Sequence, residues 1–246
     1  MIDLEIHIKD VLINYVDYGK KDGEVLILLH GWGQNIEMMK PIGDAFQDKC
    51  RIVILDLPGF GKSSEPPFAW SLDDYSDMLS EFISQLKINK PIIIGHSFGG
   101  RLAIRYSGDA VISKLVLFGS PVRPERNSPS LKVRILKFLK RLPGMNNIGE
   151  VMKKYIGSSD YKNASTIMRQ VLVNTVNKDL VDYAKKIEEP TILIWGDYDL
   201  DANISDAKVL EDVMTDASLI VLPGTHYAYL ENLPQVISIL DSFIGG

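Results

Sequence analysis

The residues best suited to chemistry in this 246-residue sequence surround Ser97. This serine is the centre of the pattern Gly95-His-Ser-Phe-Gly99, which follows the apolar run Pro91–Ile94 and opens a helical pattern. A serine on a sharp turn between a strand and a helix has an exposed hydroxyl on a strained backbone, and small neighbours let the strand and the helix approach. The N-terminus of the following helix also favours nearby negative charge. We therefore predict that Ser97 is a nucleophile and not an ordinary residue of a glycine-rich turn.

A serine nucleophile needs a base that removes its proton, and the sequence has four histidines. His7 lies in the opening strand, and His30 ends an early strand. His96 is adjacent to Ser97, and neighbouring side chains on such a turn diverge. His226 lies in a loop directly after the last predicted strand. We predict that His226 is the general base.

The base in turn needs an acid that orients the imidazole and stabilises its charged form. Three aspartates, Asp197, Asp199 and Asp201, follow the apolar run Thr191–Trp195, and some of them must be turn residues at the surface. Directly after the preceding run, Lys114–Phe118, the sequence has no acidic residue. Residue types and spacing place the acid after Trp195 but leave the choice among the three aspartates open.

A tetrahedral oxyanion needs two N–H donors that are already in position. We predict that one is the backbone N–H of Phe98, which follows the nucleophile. The second is predicted to be the backbone N–H of Trp32, in the turn His30-Gly-Trp-Gly33 after an early strand. The side chains of Trp32, Phe98 and Tyr227 are predicted to bind substrate.

The sequence Pro58-Gly-Phe-Gly-Lys-Ser63 looks like the end of a phosphate-binding loop. That loop requires a further glycine five residues before Gly61, and this position is Asp56. The segment is therefore interpreted as a turn. The sequence also lacks paired Cys and His ligands and a Gly-x-Gly-x-x-Gly pattern, so we predict no metal and no cofactor.

Buried strands and amphipathic helices that alternate along the chain would position these residues. Continuous apolar runs are typical of strands buried on both faces of a parallel sheet. The predicted strands are Asp3–Ile8, Val11–Tyr18, Val25–Leu29, Arg51–Leu55, Pro91–Ile94, Lys114–Phe118, Thr191–Trp195 and Leu219–Leu222. The predicted helices are Glu37–Phe46, Leu72–Leu86, Phe98–Tyr106, Ile204–Met214 and Leu233–Phe243. The fold class predicted is α/β, with a mostly parallel central sheet flanked by helices.

This alternation pauses after the sixth strand. Residues 121–188 show helical periodicity without good strands, and we predict a helical cap there, inserted into a core of residues 1–120 and 189–246. From Arg123 to Ile187 there are 14 lysines and arginines against five acidic residues, although the whole chain has a net charge of −5. A basic cap on an acidic body would either be a solvated surface or attract anions.

Composition agrees with an ordinary globular protein, since 46% of residues are hydrophobic and 24% are charged. The single cysteine excludes an intrachain disulfide and favours a reducing compartment. The N-terminus lacks the pattern of a signal peptide, and no apolar run approaches 18 residues. We therefore expect a cytoplasmic protein that binds neither membrane nor nucleic acid.

Taken in order, these motifs resemble those of the α/β-hydrolase superfamily of serine hydrolases. The resemblance rests on His30-Gly-Trp-Gly33, Asp56-Leu-Pro-Gly-Phe-Gly-Lys-Ser63, Gly95-His-Ser-Phe-Gly-Gly100, Trp195-Gly-x-x-Asp199 and Pro223-Gly-Thr-His226. It implies the α/β-hydrolase fold and a Ser97, Asp199 and His226 triad, because in that family the acid follows Trp-Gly at this spacing. Some motifs are also similar to those of pimeloyl-acyl-carrier-protein methyl ester esterases, which commonly have Trp where this chain has His96.

The resemblance implies a serine hydrolase that cleaves a carboxylic ester through an acyl-enzyme. The expected partner is a small-molecule ester, and a basic cap would suit an anionic or carrier-protein-linked one. Two alternatives remain open. One is a C–C bond hydrolase of the meta-cleavage type that uses the same residues, and the other is a binding or receptor protein with slow turnover on the same fold.

Overall fold

The computed structural model describes residues 3–124 and 165–245 and has one eight-stranded sheet. The strands are β1 (Leu4–Ile8), β2 (Val11–Gly19), β3 (Val25–Leu29), β4 (Arg51–Leu55), β5 (Ile92–His96), β6 (Lys114–Phe118), β7 (Thr191–Gly196) and β8 (Ala217–Leu222). Their order across the sheet is β1-β2-β4-β3-β5-β6-β7-β8. β1 pairs antiparallel with β2, β2 pairs antiparallel with β4, and every later pair is parallel. The predicted mostly parallel sheet is confirmed.

The central strands are largely apolar because both faces of the sheet are covered. Ile27, Val53 and Ile93 belong to one hydrophobic cluster, whereas Leu26, Leu28 and Ile94 belong to the other. Successive side chains of one strand point to opposite faces, which explains why neighbours in sequence fall into different clusters. The two clusters are the two halves of the core, one on each side of the sheet.

Eight helices lie within the described ranges. They are α1 (Ile36–Phe46), α2 (Leu72–Gln85), α3 (Phe98–Ser107), α4 (Thr166–Val176), α5 (Val181–Ala184), α6 (Ile204–Val213), α7 (Ala228–Glu231) and α8 (Leu233–Gly245). Side-chain caps mark the starts of α1, α2, α4 and α6. At α2, for example, the Ser71 side chain accepts a hydrogen bond from the Asp74 N–H while the Asp74 carboxylate accepts one from the Ser71 N–H.

The inserted segment can be followed in part. β6 ends at Phe118, β7 begins at Thr191, and residues 165–190 contribute helices α4 and α5 and no strand. Residues 125–164, which form most of the predicted cap and include the basic residues Lys137, Lys140 and Arg141, lie outside the described residues. The cap therefore stays a prediction.

Two further properties concern the cysteine and the helices. Cys50 is a free, buried thiol. Within residues 3–124 and 165–245, no helix is both long and apolar enough to cross a membrane.

Candidate active site

The predicted triad residues follow three different strands of the parallel part of the sheet. Ser97 comes directly after β5, Asp199 lies three residues after β7, and His226 lies four residues after β8. Because the carboxyl ends of parallel strands share one edge, these three residues belong to one side of the molecule. Sheet topology thus brings together residues that are far apart in the sequence.

Ser97 occupies a strained turn between β5 and α3. Its backbone has φ 52° and ψ −111°, a conformation that residues with a Cβ rarely adopt. The Ser97 N–H donates to the Phe118 carbonyl at 2.9 Å, which ties the turn to the end of β6. The side chain is half-buried, and its hydroxyl makes no capping hydrogen bond to α3, a helix that is described in full. The hydroxyl is therefore free for another partner.

The turn requires glycine on both sides of Ser97. A Cβ at Gly95 would lie 2.6 Å from the Gly99 carbonyl oxygen, and a Cβ at Gly99 would lie 2.3 Å from the Leu29 carbonyl oxygen. Both distances are far below van der Waals contact. The two glycines let α3 approach the strands closely, which is the physical reason for the Gly-x-Ser-x-Gly pattern.

His226 and Asp199 form a hydrogen-bonded pair. The distance from His226 Nδ1 to Asp199 Oδ2 is 2.9 Å, and the Asp199 side chain is 1% exposed. The other carboxylate oxygen, Oδ1, accepts from the N–H groups of Asp201 and Ala202 at 2.8 and 2.7 Å. Because a carboxylate accepts, Nδ1 carries the proton and Nε2 has the lone pair. The imidazole is held in the tautomer that a general base needs.

The other two aspartates are engaged differently. Asp197 Oδ1 accepts from the Gly224 N–H at 2.8 Å, so this side chain joins the loop after β7 to the loop after β8. The Asp201 side chain is exposed, and its backbone N–H supports Asp199. Among the three aspartates that the spacing left open, Asp199 is the one that the fold pairs with His226.

His96 connects two loops that border the site, a contact that the sequence did not reveal. The ring is fully buried, with Nε2 3.0 Å from the His226 carbonyl oxygen and Nδ1 3.2 Å from Gln34 Oε1. Gln34 Oε1 also accepts from the Gly31 N–H at 2.9 Å, in the turn that carries Trp32. Burial holds the pKa of His96 well below its usual value. His96 therefore stays neutral, and because a neutral imidazole has a single N–H it can donate to only one of these two oxygen acceptors.

The two predicted oxyanion donors lie in adjacent parts of the fold. Phe98 is the first residue of α3, where backbone N–H groups have no partner inside the helix. The Trp32 and Phe98 rings contact each other edge to face, with centroids 5.4 Å apart. The turn before Gly33, which has φ +70°, therefore lies beside the start of α3. The roles of these two N–H groups stay predictions.

The predicted substrate-binding side chains form two groups. Trp32 and Phe98 belong to an aromatic wall with Phe60 and Tyr75, in which Trp32 and Phe60 centroids are 4.8 Å apart. Tyr227 lies on the histidine side, with its ring centroid 5.7 Å from that of His226. The Tyr227 hydroxyl accepts from Gln34 Nε2 at 3.4 Å, and burial raises the pKa of this phenol.

The segment that resembles a phosphate loop is organised by a buried carboxylate. Asp56 accepts from the backbone N–H groups of Ile36 and Lys62 and from the Asn14 side chain, at 2.8–2.9 Å. A Cβ at Gly61 would lie 2.2 Å from the Asp56 carboxyl carbon. A negative side chain thus fills the space inside the turn, which agrees with its interpretation as structural.

Only one group of side chains in the described ranges has ligand atoms close enough together for a metal ion, namely Asp199, Asp201 and His226. Asp199 and His226 already hydrogen-bond each other, and the second oxygen of Asp199 accepts two N–H groups. These donors are committed to an acid–base pair, and we assign no metal to them.

Comparisons with known proteins show the family. A family model described as alpha/beta hydrolase fold matches residues 24–148. The pimeloyl-acyl-carrier-protein methyl ester esterase of Shewanella woodyi is 30% identical over 205 residues, which cover 72% of this chain and 76% of that protein.

Solved structures agree in fold. The esterase EaEST from Exiguobacterium antarcticum has a TM-score of 0.81 at 22% identity and covers 100% of both chains. The meta-cleavage product hydrolase CumD from Pseudomonas fluorescens IP01 has a TM-score of 0.76 at 20% identity, covering 98% of this chain and 97% of that chain. At these identities the two structures bear on the fold alone.

Proposed function

This chain belongs to the α/β-hydrolase fold family of hydrolases, and we propose that it cleaves carboxylic esters through an acyl-enzyme on Ser97. The proposal rests chiefly on the 2.9 Å pair between His226 Nδ1 and Asp199 Oδ2, which directs the basic Nε2 away from the carboxylate. The strained turn at Ser97, which leaves its hydroxyl free of helix capping, supports it. The 30% identical relative is named as an ester hydrolase.

In the proposed mechanism, His226 Nε2 takes the Ser97 proton as Oγ attacks the ester carbonyl. The negative oxygen of the tetrahedral intermediate accepts hydrogen bonds from the Trp32 and Phe98 backbone N–H groups. The C–O bond then breaks, and His226 protonates the leaving alkoxide. Water repeats the sequence on the acyl-enzyme, which releases the carboxylic acid and restores Ser97. Asp199 stays ionised and stabilises the imidazolium in both halves.

A fluorophosphonate probe tests the nucleophile directly. The folded wild-type protein should be labelled at Ser97, as located by peptide mass spectrometry, and Ser97→Ala should not be labelled. Ser63→Ala is the matched control, because Ser63 Oγ is engaged with the Asp56 carbonyl. Hydrolysis of p-nitrophenyl esters from acetate to laurate then measures acyl preference. Absence of Ser97 labelling in folded protein would refute the proposal.

C–C bond cleavage is the second candidate, since the same residues could protonate a carbanion in place of an alkoxide. The structural similarity to the meta-cleavage product hydrolase concerns the fold alone. Comparing short aryl esters with a vinylogous diketone separates the two reactions. Tight ligand binding with negligible turnover of both substrates would instead indicate a binding or receptor protein.

We propose an anionic or carrier-protein-linked ester as the substrate form that suits the basic segment Arg123–Ile187. Within the described residues, four basic side chains of this segment are already in ion pairs: Arg123, Lys178, Lys185 and Lys186. Attraction of an anion would therefore depend on other positions, such as Lys137, Lys140 and Arg141, outside the described residues.

Replacing Lys137, Lys140 and Arg141 with Glu should lower kcat/KM for an anionic ester at low salt, and the effect should shrink as salt rises. A neutral ester of the same chain length is the control. Equal kcat/KM for the anionic ester before and after the replacement would contradict the proposal.

A further inference from the structure

Arg101 is a buried cation that the proposed reaction does not use. It lies on α3 one turn after Ser97, whose carbonyl accepts from the Arg101 backbone N–H at 3.0 Å. The residue is 3% exposed, and burial lowers the pKa of its guanidinium to about 10, so it remains charged at neutral pH. A charge so deeply buried is costly unless the fold gives it hydrogen-bond partners.

The partners of Arg101 are three backbone carbonyls. Nη1 donates to Pro121 O at 2.7 Å, and Nη2 donates to Thr175 O at 2.8 Å and to Lys178 O at 2.5 Å. Pro121 lies where the chain leaves the sheet after β6, Thr175 lies in the last turn of α4, and Lys178 lies just after that helix. We call residues 121–123 the exit stem and residues 175–180 the return stem.

The two stems also contact each other and a second charged residue. The Leu180 N–H donates to the Val122 carbonyl at 2.9 Å, which joins return stem to exit stem. Asp206, a buried residue of α6, accepts from the Val122 N–H at 3.1 Å and from Arg123 Nε at 2.8 Å. Arg101 and Asp206 therefore hold the two stems from two different helices of the core.

The geometry calls for arginine and not merely for a positive charge. A guanidinium presents several N–H groups in a rigid plane, so one side chain can reach carbonyls of two separate segments. A lysine ammonium is a point charge at the end of a flexible side chain and cannot span two segments in the same way. The hydrogen-bond partners of the Arg101 guanidinium are neutral carbonyls, so it gains no ion pair from them. Its contribution is to hold those carbonyls in place.

The return stem leads directly to the aromatic wall beside Ser97. Helix α4 ends at Val176, and its Met168 is buried against Gly59, where a Cβ would lie 2.3 Å from Met168 Cε. The next residue, Phe60, contacts the Trp32 ring at 4.8 Å. A shift of the return stem would therefore move α4 against the wall that a substrate's acyl chain would meet.

We propose that Arg101 is a positioning residue that fixes the exit and return stems to the Ser97 helix and thereby sets selectivity for longer acyl chains. The selectivity part rests on the proposed ester hydrolysis, whereas the fixing of the stems does not. Arg101 does not contact the reacting atoms. Replacing it should therefore weaken substrate binding and leave the rate of the chemical step unchanged.

The test compares Arg101→Met and Arg101→Lys with Arg51→Met, a control that removes an arginine paired with Asp17 far along the chain from the stems. Hydrogen exchange should show about tenfold less protection of the Leu180 amide in both Arg101 variants, with the Ile92–His96 amides unchanged. In Arg51→Met the Leu180 amide should keep its protection. Unchanged Leu180 protection in Arg101→Met would overturn the fixing of the stems.

Kinetics test the selectivity. For p-nitrophenyl octanoate, kcat/KM should fall about tenfold or more in the Arg101 variants because KM rises. For p-nitrophenyl acetate, kcat should stay within about threefold of the wild-type value. An equal loss on both esters would overturn the selectivity part, because it would mean that Arg101 acts on the nucleophile turn. If wild-type protein hydrolyses no ester, the proposed function fails, and hydrogen exchange still decides the fixing of the stems.

Should Arg101→Met not fold, Arg101→Lys and Asp206→Ala provide the same comparison. Asp206→Ala removes the acceptor of the Val122 N–H from the opposite side and should also weaken protection of the stems and selectivity for octanoate. Full protection and unchanged selectivity in both of these variants would overturn the proposal.

Discussion

Gly119 lies directly against the His226 ring. A Cβ at Gly119 would be 3.1 Å from His226 Nδ1 and 2.9 Å from Asp199 Oδ2. Gly119 follows β6, the strand between those that lead to Ser97 and to Asp199, and its φ is +47°, in the left-handed region. The absence of a side chain at this position leaves the space in which the histidine–aspartate pair sits.

Gly119→Ala should therefore impair catalysis more than folding. The added methyl group displaces the pair, and a displacement of about 1 Å can lower kcat about 100-fold. The left-handed backbone adds a stability loss of about 1–2 kcal/mol. Ester turnover and urea unfolding measure the two effects. Gly245→Ala is the control, since no atom lies within 4 Å of a Cβ there, and activity near wild type in Gly119→Ala would contradict the assignment.

Asp199→Asn should lower kcat by about 10⁴-fold, because an amide cannot stabilise the imidazolium and favours the wrong tautomer. Asp197→Asn and Asp201→Asn are matched controls in the same loop. Neither side chain hydrogen-bonds His226, although a carboxylate oxygen of Asp201 lies within 4.8 Å of a ring nitrogen, so both variants should keep kcat within about tenfold. Steady-state kinetics on p-nitrophenyl acetate measure all three, and a larger loss in either control would move the acid role to that residue.

Stability should fall as pH drops from about 6.5 to about 4 because of His30. Its Nε2 accepts from the Leu57 N–H at 2.9 Å, its Nδ1 donates to the Gly31 carbonyl, and burial lowers its pKa to about 4. The folded state thus binds this proton less readily than the unfolded state, whose histidine pKa is near 6.5. The stabilisation is complete above pH 6.5 and is lost as pH falls through this window.

The size of the effect is on the order of 3 kcal/mol, from a shift of about 2.5 pKa units. Urea unfolding at pH 7, 6, 5 and 4 measures it. His30→Asn should make the curve less steep without flattening it, because burial also lowers the pKa of His96 and this second histidine contributes in the same pH range. His7→Asn, at an exposed position on β1, should leave the curve as in wild type. A His30→Asn curve as steep as that of wild type would show that other groups carry the acid sensitivity.

Asp56→Ala should destabilise the fold by about 3 kcal/mol or more, because three donors lose a charged acceptor in a buried place. Equilibrium urea unfolding measures the loss, and Asp48→Ala, an exposed aspartate, should stay within about 0.5 kcal/mol of wild type. The same variants test the interpretation of the Pro58–Ser63 turn. Phosphate binding at this turn in the wild-type protein would contradict a purely structural role.

Most of the sheet could be predicted from the sequence, since its central strands are continuous apolar runs that end in Gly, Pro or polar residues. Val25–Leu29, Arg51–Leu55 and Lys114–Phe118 have the predicted bounds. β8 extends two residues further towards the N-terminus than predicted, because it is an edge strand that begins with the half-buried Ala217 and the exposed Ser218 and not with an apolar run. The four-residue helix Ala228–Glu231 was missed because it is too short to show a period.

The site could be predicted only as far as local patterns reach. Gly-x-Ser-x-Gly predicts a turn because its glycines are needed for close approach at neighbouring backbone positions. The pairing of His226 with Asp199 and not with Asp197 depends on where two separate loops meet, so residue types alone left it open and only the resemblance, through the spacing Trp195-Gly-x-x-Asp199, pointed to Asp199. The contacts of His96 and of Arg101 join segments far apart in the chain, and nothing in the residues around them indicates those partners.

The aromatic wall also provides an intrinsic fluorescence signal from the candidate site. The chain has three tryptophans, of which Trp70 and Trp195 are fully buried, whereas Trp32 is only half-buried. Water-soluble quenchers such as acrylamide will therefore reach Trp32 before the other two. Because Trp32 stands next to Phe98, the emission that a quencher can remove comes mainly from the candidate site. Occupancy of that site can be followed by fluorescence in the unmodified protein, without a label and without turnover.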